Sequence, residues 1–188
     1  MQQLTQQQQS HLLIMARQCI ENYLSKRIRP IIEFDNLEEY LKVPAASFVT
    51  LKRNQQLRGC IGNLVASRPL IEDILNNSIA AATEDPRFEA VSLQELESII
   101  IGISILTDPV PLEVESEDEL LNIIRPNVDG LILTFNNHKA TFLPSVWETL
   151  NKATQFVSQL KVKAGLPLDF WDKEMRFEIY QTISFSES

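Results

Sequence analysis

Apolar residues recur along this chain in two periods, and the switching between them outlines its elements. Leu12, Met15, Ala16, Cys19, Ile20, Tyr23 and Leu24 fall three or four apart, the spacing of one helix face. Ser10 offers a capping hydroxyl ahead of them and Pro30 ends the run. The glutamine-rich stretch before it, residues 1–9, reads as a flexible tail. From Ile31 to Pro44 the pattern is mixed, with one helical turn predicted near Leu37–Leu41. Leu70, Ile71, Ile74, Leu75, Ile79 and Ala82 mark a second long helix, with Pro69 in its first turn and Pro86 beyond its end. Ser92 with Glu95, and Ser116 with Glu119, fit capping boxes for two short helices, the second running to about Ile124. Phe156, Leu160 and Lys163–Ala164 fit a last helix closed by Gly165.

The other period is that of strands. Ser47–Leu51 and Leu57–Ile61 flank the turn Asn54-Gln55-Gln56 and fold back on each other. Ile99–Leu106 is β-branched, almost wholly apolar and short, which predicts a central strand. Gly130–Phe135 and Lys139–Leu143 bracket Asn136-Asn137-His138 as a hairpin, and Met175–Phe185 alternates as one closing strand. Strands are joined by turns as often as by helices. The fold class is therefore α+β, a mainly antiparallel sheet flanked by helices. The tail at 1–9 is followed by a single domain over 10–188, in which the acidic, proline-flanked segment Asp108–Pro126 marks the edge of a smaller lobe.

Composition narrows the function classes. The chain has 188 residues, 44% apolar and 22% charged, enough to bury a core. Its net charge of −8 argues against nucleic acid and against anionic membrane surfaces as partners. No apolar run reaches the length of a membrane span, and the first residues lack the basic start of a signal peptide. Two cysteines make no disulfide framework or zinc motif, so the expected compartment is the cytoplasm with reduced thiols.

Two segments carry candidate chemistry. Leu57-Arg58-Gly59-Cys60-Ile61-Gly62 places two glycines in a short strand, the signature of a bulge or of close backbone approach. On a regular strand Arg58 and Cys60 share a face, and a guanidinium beside a thiol favours the nucleophilic thiolate. The bland reading is a buried, inert cysteine with glycines that only shape a turn. Glu84-Asp85-Pro86-Arg87-Phe88 gathers two carboxylates, a guanidinium and a ring in a proline-shaped loop. It suits a polar ligand or an acid–base role; the bland reading is a local Asp85–Arg87 ion pair with Phe88 anchored in the core. His138 reads as a solvated turn residue and His11 lies near the tail, so no histidine–cysteine metal site is expected. The G-x-x-G at Gly59–Gly62 sits in a strand, unlike a KH loop between helices. No P-loop, dinucleotide fingerprint or serine-hydrolase elbow is present, and the sequence names no cofactor.

Taken in order, LRGCIG at Leu57–Gly62, EDPRF at Glu84–Phe88, ISIL at Ile103–Leu106, DGLIL at Asp129–Leu133, ATFLPSV at Ala140–Val146 and KAGL at Lys163–Leu166 resemble the AMMECR domain family, in a single-domain member of bacterial or archaeal type. Asn63 stands where many members carry threonine, and Glu84 where many carry arginine. The resemblance implies an α+β fold with an antiparallel sheet and a smaller second lobe. It also implies a suspected enzymatic role centred on RGCIG, a suspected RNA-linked role, and work beside a Memo-like protein or a radical S-adenosylmethionine protein. Carried over, the site residues are Arg58, Gly59, Cys60, Gly62, Asp85, Arg87 and Phe88, with Pro144 by analogy alone.

The leading expectation is a small-molecule site. Arg58 or Arg87 holds an anionic or carbonyl group, Cys60 is nucleophile or contact, Asp85 is acid, base or orienter of an arginine, and Gly59, Gly62 and Phe88 line the ligand. The rival is a non-catalytic module that docks a protein on the same surface. RNA binding ranks third and requires Lys52, Arg53, Arg58, Arg68 and Arg87 to converge.

Overall fold

A computed structural model describes residues 4–188, and in it the strands form two separate four-stranded sheets rather than one. The chain divides into two compact units, residues 1–106 with 183–188, and residues 107–182. The smaller lobe expected at Asp108 opens one residue earlier.

The first unit begins with α1, Gln6–Lys26. It starts earlier than Ser10 because Thr5 closes a capping box. Its side chain accepts from the Gln8 N–H (3.2 Å), and the Gln8 side chain accepts from the Thr5 N–H (2.9 Å). Gln6–Gln9 are thus helical and Leu4 is buried, which corrects the expected tail; the rest of that prediction lies outside the described residues. The short α2 (Glu39–Lys42) precedes β1 (Ser47–Arg53) and β2 (Gln56–Gly62), which form a hairpin. Asn54 and Gln55 both have positive φ, 50° and 63°, the backbone of a type I′ turn. Pro69 is the cap, not the first turn, of α3 (Leu70–Thr83). The helix α4 (Leu93–Leu96) opens on Ser92 and leads into β3, Ile99–Leu106. With β8 (Thr182–Ser186) the sheet order is β2-β1-β3-β8, and the predicted central strand is central. Val49, Leu51, Ile101, Ile103 and Ile105 bury one sheet face against Leu12, Ala16, Cys19 and Ile20 of α1 and Ile71, Ile74 and Ile79 of α3.

Strand β1 is tied to α3 by a buried polar cluster that hydropathy does not betray. One Asp73 oxygen accepts from the Ser47 N–H (2.8 Å), the Ser47 hydroxyl (2.7 Å) and Asn77 (2.9 Å). The other accepts from Asn63 (2.7 Å), the residue that follows β2. A carboxylate with no exposure is tolerable because each of its oxygens has such a donor.

The second unit holds β4 (Val110–Leu112), α5 (Glu117–Ile123), β5 (Gly130–Phe135), β6 (His138–Phe142), α6 (Ala153–Lys163) and β7 (Arg176–Tyr180), with sheet order β4-β7-β5-β6. His138 pairs with Phe135 as the first residue of β6, so the turn is Asn136-Asn137 alone. Ser92 and Ser116 cap as read, but Glu95 and Glu119 do not close the boxes: Glu95 turns to arginines and Glu119 accepts from the Glu115 N–H. Helix α6 ends in a Schellman motif. Gly165, at φ +81°, donates to the Val162 carbonyl, and Leu166 donates to that of Lys161. Trp147 is buried, stacked on Phe156 at 3.8 Å. The single strand expected over Met175–Phe185 is two, interrupted at Gln181, and β7 and β8 belong to different sheets. No helix among the described residues is long and apolar enough to cross a membrane.

Candidate functional site

The two chemistry-bearing segments, distant in sequence, meet in the first unit. The hairpin register explains how Cys60 is presented. Leu51 pairs with Gly59 but Lys52 pairs with Leu57, so Arg58 is the extra residue of a β-bulge. Beyond it Thr50 stands opposite Cys60, and the Thr50 hydroxyl lies 3.3 Å from the Cys60 sulfur. Gly59 faces the helix: a Cβ there would collide with the backbone oxygen of Ala81 in α3. Gly62 lies under the ring of Phe48, where a Cβ would also collide. Both glycines are therefore packing necessities, which lets the strand lie flat against α3 and Phe48.

The loop after α3 grips that strand at Cys60. The Cys60 N–H donates to Asp85 Oδ2 at 2.8 Å. Arg87 grips the same carboxylate as a fork, Nε to Oδ1 at 2.9 Å and Nη2 to Oδ2 at 2.7 Å, and its Nη2 also reaches the Cys60 carbonyl at 3.4 Å. The Arg87 N–H adds a bond to Oδ1 at 3.1 Å. Asp85 is buried, and the Arg87 hydrogen bonds, with help from the Cys60 N–H, pull its carboxyl down to about 2. A carboxylate so committed orients Arg87 and fixes the strand; it is not poised to exchange protons near neutrality.

As the extra residue of the bulge, Arg58 departs from the regular spacing that sets it on one face with Cys60. The bulge and α4 take its guanidinium to Glu95, Nε to Oε1 at 2.7 Å and Nη2 to Oε2 at 3.1 Å, and Arg53 reaches Oε1 at 3.3 Å. The hydrogen bonds from Arg58, then its charge and that of Arg53, hold the Glu95 carboxyl below its usual value. Arg87 stands beside Cys60 with Nη2 at its carbonyl, and a negative charge on that cysteine favours the charged guanidinium. Phe88 is not in the core. Both forks approach its ring, with the Arg58 guanidinium carbon 5.8 Å and that of Arg87 5.5 Å from its centroid. The arginines differ in exposure: the Arg87 side chain is 54% exposed and that of Arg58 18%.

Each predicted residue of the first unit thus has a place, and Pro144 belongs to the other unit. The sequence singles out neither Glu95 nor Thr50: Glu95 reads as half of a capping box, and Thr50 becomes the partner of Cys60 only once the bulge is counted. Four of the five cations an RNA surface would need face carboxylates: Arg53 and Arg58 face Glu95, Arg68 faces Asp73, and Arg87 faces Asp85. The two thiols are unlike. Cys60 is partly exposed; Cys19 is buried, faces the Leu75 carbonyl, and is pushed up to about 11 by burial. Among the described residues no group of three or more histidines, cysteines or carboxylates gathers as a metal site.

A family model described as AMMECR1 matches residues 13–185. A protein of Methanothermobacter thermautotrophicus is 39% identical, with 94% of this chain and 92% of that protein aligned. A Thermotoga maritima protein is 38% identical over 86% of this chain and 88% of its own length. The crystal structure of an uncharacterized protein from Pyrococcus horikoshii superposes with a TM-score of 0.88 at 30% identity, covering 96% of this chain and 91% of that one.

Proposed function

This chain belongs to the AMMECR1 family, and on that premise we propose that it binds a small anionic or carbonyl-bearing molecule at Cys60, with the thiol as its reactive group. The observation that carries the reading is the treatment of a single residue. Both backbone groups of Cys60 are engaged by the Asp85–Arg87 pair, while the residue is partly exposed and its sulfur lies beside a hydroxyl. Holding a backbone this firmly around a partly exposed cysteine is preorganisation, which inert packing does not require. Arg87 takes the ligand's negative end. Its Nε and Nη2 are committed to Asp85, and its exposed side chain presents the remaining edge of the fork. Asp85 serves as orienter of Arg87, Arg58 and Phe88 form the wall behind it, and Gly59 and Gly62 let the strand sit where the thiol is needed. Thr50 can donate to a thiolate. The protein is read as cytoplasmic, which keeps both of its free cysteines reduced.

The test is competitive alkylation with iodoacetamide at pH 7, read by peptide mass spectrometry. Cys60 is expected to be modified much faster than Cys19, and Arg87→Lys to slow it. Equal, sluggish labelling of both thiols removes the reactive cysteine.

A second reading has its own support. Ile28, Ile31 and Phe34 are 58%, 91% and 39% exposed, and Arg27 and Arg29 flank the first of them. Solvent-facing apolar side chains beside arginines suit a docking face for a protein partner. The Memo-like or radical S-adenosylmethionine partner that the resemblance implies would engage there. Binding that survives Cys60→Ala but fails in Ile31→Asp would favour this reading.

A further inference from the structure

Arg58, part of the wall of the site, is held by Glu95 of α4, and α4 does not hold itself. A four-residue helix has almost no intrinsic stability, so its position depends on what grips it from outside. Ser92 caps its start, Leu96 is buried, and the Leu96 carbonyl accepts from Arg17 Nη1 at 3.1 Å. Arg17 comes from α1 and spends the rest of its fork on its surroundings. Nη2 donates to the Ile99 carbonyl at 2.6 Å, while Nε and Nη2 grip Glu187 at 2.6 and 2.5 Å. Glu187 is itself locked to β3: its N–H donates to the Ile101 carbonyl, and its carboxylate accepts from the Ile101 N–H at 2.8 Å. One guanidinium therefore fastens α1, the end of α4, the start of β3 and the residue after β8. Between Leu96 and Arg58 stands only Glu95, whose carboxylate forks onto Arg58.

We propose that Arg17 is a positioning residue for the Cys60 site, acting through the α4 backbone and Glu95 on Arg58 and the Phe88 ring; this rests on the reading of that site given above. The planar fork is what the position demands. A lysine keeps the charge but does not serve a carboxylate and two diverging carbonyls together. Arg17 and Glu187 also line a groove of about 800 Å³ with Ile14, Glu97 and Ile100, so the clamp stands at the surface, where changing it does not excavate the core.

The experiment uses the full chain, with Arg17→Lys, Glu95→Gln, the double variant, and Glu187→Gln as a second way to loosen the clamp if Arg17→Lys folds poorly. The readouts are the alkylation rate of Cys60 by iodoacetamide and residue-resolved hydrogen exchange. Arg17→Lys is expected to change the Cys60 rate roughly threefold or more, and to add nothing further in the Glu95→Gln background. Exchange should rise over Leu93–Ser98 and at the Phe88 amide, while α3 stays protected. Independent, multiplicative effects of the two substitutions overturn the inference, as does an unchanged Cys60 rate. Protection lost evenly across the core marks a merely structural role and overturns it too. Should wild-type Cys60 react no faster than Cys19, the site reading fails on its own account. The Phe88 amide then decides for Arg17: faster exchange in Arg17→Lys supports the linkage, and unchanged exchange refutes it.

Discussion

Replacing Asp85 by Asn tests how the site is held, because the change keeps the shape and removes the charge. The Asp85 carboxyl sits at about 2 in the folded chain, against an ordinary value of 3.8. At about 1.4 kcal/mol per unit, that difference corresponds to about 2.5 kcal/mol for the ionised form. Asp85 is buried but the Arg87 side chain is 54% exposed, so water screens the pair and about 1–2 kcal/mol is the realistic share. A second loss does not depend on pH. The new amide must turn its NH₂ toward either the Cys60 N–H with Arg87 Nη2 or the Arg87 N–H with Nε, and donor facing donor costs about 1–3 kcal/mol. The sign follows from the lowered value. The charge contribution is complete above the unfolded pKa of about 4 and disappears as pH falls toward 2. Urea unfolding of both proteins, followed by circular dichroism from pH 7 to pH 2.5, separates the parts. The variant should be about 2–4 kcal/mol less stable at pH 7, with the gap narrowing by about 1 kcal/mol or more at the acid end. A gap that stays constant across the series, or no gap at all, refutes the claim that the ionised carboxylate holds strand and loop together.

Gly59→Ala should destabilise by about 2 kcal/mol or more, since the added carbon meets the Ala81 backbone oxygen and α3 must retreat; thermal unfolding checks it, and a neutral result would mean that strand and helix are less closely packed than described. Gln55→Gly should stabilise by about 1 kcal/mol, because Gln55 holds a left-handed backbone at φ 63° in the hairpin turn; a chemical denaturation midpoint that does not rise would contradict it. Glu117→Ala should cost about 2–3 kcal/mol, since it strands the fully buried Lys161 ammonium, now 2.7 Å from that carboxylate. The denaturation midpoint reads that too, and recovery in Glu117→Ala/Lys161→Met would identify the unpaired charge as the cause.

Much of the fold is legible because periodicity reports burial. Ile99–Leu106 reads as a central strand and is one, and Asn136-Asn137-His138 announces its hairpin with a turn one residue too long. What escaped the sequence has physical reasons. The helix starts at Gln6 because a threonine and a glutamine three apart satisfy each other, a local signal hidden in a polar run. The break at Gln181 escaped because alternation continues through it, and alternation says which face a residue takes, not which sheet receives it. In the two candidate segments the Asp85–Arg87 pair is legible in the sequence, but the partners of Arg58 and Cys60 are not. A regular hairpin about Asn54-Gln55 sets Thr50 opposite Gly59; the bulge at Arg58 moves it to Cys60 and sends Arg58 to Glu95. The glycines of the strand announce a bulge or a close approach, and Gly59 does lie against α3, but they do not say which residue is the extra one.

The interruption at Gln181 has a consequence for how the chain can be cut and rebuilt. Thr107 and Gln181 are bound to each other, the Thr107 N–H donating to the Gln181 carbonyl and the Gln181 N–H to the Thr107 hydroxyl, so the outgoing and returning ends of the second unit touch. An excursion whose two ends meet is a cassette. It can be excised and bridged by a tight turn, or lifted out and seated in another host loop, without stretching either end. Until its far end comes home, β3 waits for β8, and Arg17 for its carboxylate.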